Sequence, residues 1–360
     1  MPFTLSSSLA AGAFAAAQQL IVQDPPAPVE EPPTPTVQAE APTRSRLSDF
    51  NPQISLVSDF RSRFANSQEG GEKLSELKEL ELGLAADVDP FLRAEAYIAF
   101  AREDGENIVE VEEAFATYSR LGRGLTAKFG KIAGAVGRVQ RNHADQQNWL
   151  DYPYAIQDIL GEEGLKAPGA SLSYLLPGDR FHEFTLEALV PDESPIFMGS
   201  DNGKPVVIGH YRTFFDFSED LSAQLGATYA QGPNESTRST LYGLDYTMKF
   251  QPGSGNAWTF EAEALWAKPG SGAETAFGMF AAGTVQLSKT LFGTVKWDQS
   301  EIPGTDSWRR GWTVGLTLRP TEFHHWRLQF QDMQTNFGES RRTLDLQFQW
   351  MIGAHPAHKY

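Results

Sequence analysis

Apolar side chains fall on every second position between residues 79 and 102, where the chain reads ELELGLAADVDPFLRAEAYIAFAR. Leu80, Leu82, Leu84, Ala86 and Val88 alternate with Glu79, Glu81 and Asp87. After Asp89 and Pro90, Leu92, Ala94, Ala96, Ile98 and Phe100 alternate with Arg93, Glu95 and Tyr97. Successive side chains of an extended backbone point to opposite faces, so each run carries one apolar and one polar face. Two such runs around an Asp-Pro turn predict an antiparallel hairpin. Each run exceeds the roughly 5–6 residues of an ordinary soluble strand. Each reaches the roughly 9–11 residues with which a tilted strand crosses a bilayer.

The pattern recurs along the chain. Alternating runs cover 54–64, 80–88, 92–100, 108–118, 125–136, 169–176, 184–190, 207–217, 221–229, 242–250, 258–266, 277–287, 291–297, 312–318, 326–330 and 344–352. These make about sixteen strands, an even number, as single-chain bacterial barrels have. The connections alternate in length. Short ones fall at 89–90, 121–124, 177–179, 218–220, 288–290 and 320–324, with 251–256 slightly longer. Longer, polar ones are expected at 65–72, 103–107, 138–164, 191–204, 231–239, 268–275, 298–307 and 335–341. Membrane barrels have short turns on the periplasmic side and longer loops outside; a soluble sandwich has no reason to sort its loops by parity. Trp258 and Trp266 flank one strand, and Trp297, Trp312, Trp326 and Trp350 sit toward strand ends. Tyr and Trp gather at that level where a barrel meets lipid headgroups. The expected fold is therefore all-β, a transmembrane antiparallel β-barrel of about sixteen strands with a disordered N-terminal segment.

The N-terminus reads differently. Residues 1–17 are apolar and rich in small side chains, and end in an Ala-x-Ala pattern at Ala15 and Ala17, like a secretory signal peptide without its basic start. Residues 18–50 are dominated by proline and glutamate from Asp24 to Thr43, a composition that cannot bury a core and reads as an extended linker. The barrel is assigned to 51–360.

Composition narrows the function. The 360-residue chain carries a net charge of −16 and no cysteine. An acidic chain is a poor partner for nucleic acid, which selects basic surfaces. A negative mean hydropathy is compatible with a membrane barrel, whose apolar residues occupy alternate positions only. Charges on the lipid face would each cost about 2–4 kcal/mol near the midplane, so they are expected to face the lumen. That set includes Arg61, Arg63, Glu79, Glu81, Arg93, Glu95, Glu110, Glu112, Arg212, Asp245, Glu261 and Glu263, with acids in excess over bases. The longest connection, 138–164, is the third outer loop. It brings Arg138, Arg141, His143, Asp145, Asp151, Asp158, Glu162 and Glu163. Charged rings at a constriction set ion preference, so this loop is the candidate pore constriction if it folds inward.

Other chemistry is thin. His355 and His358, with His324 and His325, are the one hint of a metal site; zinc needs three or four ligands with a supporting shell. His182 and His210 lack an accompanying nucleophile motif, and no phosphate loop or dinucleotide fingerprint is present. No enzyme activity and no cofactor are expected.

The stretches ELELGLAADVDPFLRAEAYIAF and VEVEEAFATYSRLGRGLTAKFGKIAGAVGRVQRNH resemble the start of phosphate-selective-porin-like outer-membrane barrels. The shared features are the Asp-Pro turn, the acidic-aromatic strand, and Lys128-Phe129-Gly130-Lys131 leading to a long loop. The ending GAHPAHKY is also similar to tails of outer-membrane proteins labelled zinc-regulated receptors. The first resemblance implies a sixteen-stranded, often homotrimeric channel; it does not carry phosphate specificity onto this chain. These readings lead to a bacterial outer-membrane channel that passes small hydrophilic solutes or ions by diffusion, with a modest cation preference. An outer-membrane receptor for a metal ion such as zinc is the first alternative, and a non-conducting structural barrel the second.

Overall fold

The computed structural model describes residues 52–353, apart from 68–69, 104–105, 143–145, 193, 199–202, 235–236, 254, 271 and 339. The expected signal-like segment 1–17, the linker 18–50, His143, Asp145, His355 and His358 lie outside the described residues.

The alternating runs form sixteen strands. They are β1 (Gln53–Ser67), β2 (Gly70–Asp89), β3 (Leu92–Glu103), β4 (Glu106–Tyr118), β5 (Leu125–Ala133), β6 (Lys166–Leu175), β7 (His182–Leu189) and β8 (Val206–Asp216). There follow β9 (Leu221–Asn234), β10 (Thr237–Phe250), β11 (Trp258–Lys268), β12 (Ala276–Gln286), β13 (Leu291–Glu301), β14 (Trp308–Thr321), β15 (His324–Thr335) and β16 (Ser340–Gly353). Each strand pairs antiparallel with its sequence neighbours, and β1 pairs with β16, from Ser55 opposite Gly353 to Ser67 opposite Arg341. Closure leaves no sheet edge, which a bilayer requires.

The outer face is apolar. Leu225, Leu244, Val314, Leu316, Leu328 and Leu346 are exposed, while their chain neighbours Thr313, Thr317, Arg327, Gln329, Asp345 and Gln347 are buried. This is the inside-out alternation of a barrel that spans an outer membrane. Aromatic rows edge the apolar band. Tyr229, Tyr242, Trp266 and Phe277 face one another across β9 to β12, with ring centroids 5.4 Å apart at Tyr229–Tyr242 and at Trp266–Phe277. Toward the other rim Phe250 lies 5.6 Å from Trp258 and Trp326 lies 4.2 Å from Phe348.

Two local features depart from the simple alternation. Several connections expected to be long polar loops are instead strand. β1 and β2 stay paired as far as Ser67 and Gly70, and β9 and β10 as far as Asn234 and Thr237. Hairpins continue beyond the apolar band because the backbone hydrogen-bond ladder holds in water as well as in lipid. Bulges also shift the phase. Lys78 is an extra residue between Leu77, opposite Phe60, and Glu79, opposite Asp59; Glu112 is extra between Val111 and Glu113. After the second bulge Phe115 turns inward, 8% exposed, whereas Val109 and Val111 on the same parity are 67% and 44% exposed.

Candidate functional site: a loop across the lumen

The connection between β5 and β6 runs back into the barrel. Among its described residues are a 3-10 turn, Val139–Arg141, and a short helix α1, Tyr154–Leu160. The helix packs on β11, β12 and β13. Ala155, Ile156, Ile159 and Leu160 are at most 1% exposed and join Val136, Val139, Trp149 and Leu165 in one apolar cluster. The wall side of that cluster is unusually apolar for a lumen: Leu189, Val206, Ile208, Leu241, Leu265 and Phe280 point inward. The core therefore lies inside the barrel, against one sector of the wall, because a loop with its own apolar stripe needs an apolar surface to cover.

Polar contacts tie the loop elsewhere. The Glu263 carboxylate accepts from the backbone N–H groups of Arg138 and Val139, each at 2.6 Å. The Arg138 side chain forms an ion pair with Glu261. Gly137 N–H donates to Thr228 Oγ1 at 3.2 Å. On β15 the Arg327 guanidinium donates to the carbonyls of Gln147 at 2.6 Å and Trp149 at 3.0 Å. Gln329 accepts from the backbone N–H of Leu150. Asp151 pairs with Arg61 at 2.7 Å and Arg63 at 3.2 Å, and Asp158 with Arg309 at 2.7 Å. The loop is thus held on β1, β11, β14 and β15 as well as on its apolar sector, and crosses the lumen.

Two cavities flank it. One, about 430 Å³, opens toward the long-loop rim; the other, about 610 Å³, opens toward the short-turn rim. Asn142 and Gln147 line both. Eight carboxylates line the first against six lysines and arginines. Four lysines and arginines line the second against two carboxylates.

Of the residues expected at a constriction, Asp151, Glu162 and Glu163 line the first cavity and Arg138 the second; Asp158 is turned to the wall. Arg141 is half-buried, and desolvation together with the Arg212 charge lowers its affinity for its proton. Burial acts to raise the Asp151 carboxyl, but Arg61 and Arg63 outweigh it and leave the pKa at about 2. Burial raises Glu163, against the pull of Lys166.

The lumen charges fall into pairs and one cluster. Arg63 meets Asp345 at 2.5 Å, Arg93 meets Glu95 at 2.6 Å and Arg212 meets Glu183 at 2.8 Å. Glu110 pairs with Lys131 at 2.9 Å, near the rim. Glu79, Glu81 and Glu112 converge, with one oxygen of each within 4.8 Å of the others, and Lys166 reaches Glu112 at 2.8 Å. Asp245 and Glu263 are opposed on β10 and β11, and both are buried behind the loop. His182 and His210 are wall residues bonded to the hydroxyls of Tyr211 and Thr228 at 2.7 and 2.9 Å. The sequence reading passed over Lys166 and Arg309, which pair with Glu112 and Asp158 across 54 and 151 positions of chain, and over Trp149, whose indole is wholly buried. No local pattern signals such distant partners.

No family model matches the chain. A protein of Aquifex aeolicus (strain VF5), described as uncharacterized, is 26% identical over 394 aligned positions, covering 86% of this chain and 80% of its own. Among solved structures, an anion-selective porin from Comamonas acidovorans superposes with a TM-score of 0.60 at 10% identity, over 84% of this chain and 100% of its own. The outer-membrane channel DcaP of Acinetobacter baumannii gives 0.60 at 12%, over 84% and 98%. Salmonella typhi OmpF in complex with daunomycin gives 0.56 at 11%, over 85% and 99%. At these identities the likeness is one of fold: the chain has the barrel of outer-membrane porins.

Proposed function

We propose that the protein is an outer-membrane channel through which small hydrophilic solutes and ions diffuse passively, with a modest preference for cations. The observation that carries this reading is a closed sixteen-stranded barrel whose lumen holds an inward loop with a charged cavity on each side of it. Sixteen strands enclose a lumen wide enough for water. Hydrophilic linings and an inward loop suit size-limited diffusion, and the rim with short turns is the periplasmic one.

The cation preference rests on the outer cavity, where carboxylates outnumber lysines and arginines and three of them converge. Fixed negative charge in water raises local cation concentration. The preference is modest because Arg61 and Arg63 neutralise Asp151 and Lys166 neutralises Glu112 within the same lining. The Comamonas neighbour is an anion-selective porin, so this fold serves either sign and the lining decides. Phosphate selectivity, which would need an Arg- or Lys-rich constriction, forms no part of the reading. The leader 1–17, the linker 18–50 and a homotrimeric assembly belong to the same proposal.

The test is the reversal potential of the purified protein in a planar bilayer under a KCl gradient. A potassium preference that shrinks as salt rises is expected, and Glu162→Gln with Glu163→Gln weakens it. Chloride selectivity would refute the charge argument; an unchanged double variant would remove these two residues from the conducting path.

A further inference from the structure

The two cavities carry opposite signs. The outer one holds the converging Glu79, Glu81 and Glu112, together with Glu162 and Glu163. The inner one holds Lys249 and Lys289 near two periplasmic turns, with Arg138 and Arg319 beside the loop. His324 and His325 line the same cavity. The inward loop separates the two along the conduction axis, and among the described residues only Asn142 and Gln147, both uncharged, line both sides.

We infer that the lumen is a two-signed conduit in series, an acidic outer vestibule and a basic inner vestibule divided by the loop, and that its conductance therefore depends on the direction of the field. This rests on the channel reading above. The acidic vestibule is enriched in cations and the basic one in anions. When the outer side is positive, cations enter through the vestibule that concentrates them. Anions enter from the other end through the vestibule that concentrates them, and both accumulate at the loop. When the field is reversed, each ion must first cross the vestibule that excludes it, and the region around the loop is depleted. Current is larger with the outer side positive. The difference is greatest where the Debye length, about 10 Å at 0.1 M salt, spans a vestibule, and it collapses near 1 M, where that length is about 3 Å.

Two double variants separate this from an asymmetry of shape alone. Glu79→Gln with Glu81→Gln neutralises the outer vestibule; Lys249→Gln with Lys289→Gln neutralises the inner one. Lys289 lies in an exposed turn, so the inner pair serves if the outer pair folds poorly; heat-modifiable migration on gels reports folding. Single-channel current–voltage curves are recorded in symmetric KCl near 0.1 M and 1 M. Wild type is expected to show a current ratio of roughly 1.5- to 3-fold between the two polarities at low salt, falling toward one at high salt. Both variants lose the ratio, yet their selectivity moves in opposite directions, toward chloride for the outer pair and toward potassium for the inner pair. Linear wild-type curves at low salt would overturn the inference while leaving a channel, as would a ratio that survives both variants. Absence of any conductance would instead defeat the channel reading.

Discussion

Replacing Ile159 by alanine is expected to release the inward loop without disturbing the barrel. Ile159 is 0% exposed and lies where α1 meets β12. Its side chain comes close to Gly278: a Cβ placed there would sit 2.8 Å from the Cβ of Ala155 and 3.1 Å from the Cδ1 of Ile159. A seven-residue helix has no stability of its own, so packing alone keeps it in place. Truncating a fully buried Ile to Ala costs about 2–5 kcal/mol, through lost transfer energy plus the cavity left behind. At 1.4 kcal/mol per decade this favours the undocked loop by roughly 30- to 4,000-fold relative to wild type. The backbone pairing that closes the sixteen strands does not run through these side-chain contacts, so heat-modifiable migration is unchanged. Displacing the loop joins the two cavities, and single-channel recordings in planar bilayers therefore show a larger unit conductance or frequent excursions to one. Gly278→Val attacks the same contact from the wall and is expected to act alike. A folded Ile159→Ala protein with wild-type conductance and noise would refute the view that this packing holds the loop in the ion path.

Two further outcomes follow from the same geometry. Leu316→Arg places a charge on the lipid face near mid-strand, at a cost of about 2–4 kcal/mol, so the variant refolds into vesicles with a lower urea midpoint; an unchanged midpoint would mean that this face is not in lipid. Acid acts through Asp151, whose pKa of about 2 lies below the roughly 3.9 of an unfolded aspartate. A lowered pKa contributes stability that is present above about pH 4 and lost as pH falls through about 2. Open-channel noise therefore stays level from pH 7 to 4 and rises below it, and Asp151→Asn removes that acid step; an identical acid step in the variant would assign it to other groups.

Much of this architecture is written in the period-two pattern. Tyr242, Leu244, Tyr246 and Met248 alternate with Gly243, Asp245 and Thr247 so regularly that strand, phase and lipid-facing side all follow from the residues. What escapes is whatever breaks the period. Nothing near Lys78 or Glu112 announces a bulge, so the inward turn of Phe115 is invisible until the partner strand is seen. The length of the third outer loop marks it as special, but its place in the lumen depends on apolar residues on both parties. Ile156 and Ile159 find Phe280 on a wall whose inner face would ordinarily be polar. The buried ties from Arg327 to Gln147 and Trp149 link positions 180 and 178 residues apart and leave no local trace.

The central claim is that this barrel conducts, and the most direct measurement is planar-bilayer recording on the refolded, heat-modifiable protein. The account predicts discrete conductance steps in KCl, with a reversal potential in a salt gradient of the sign given by potassium preference. A correctly folded protein that inserts into the bilayer and gives no steps would contradict it and leave the fold as a structural barrel.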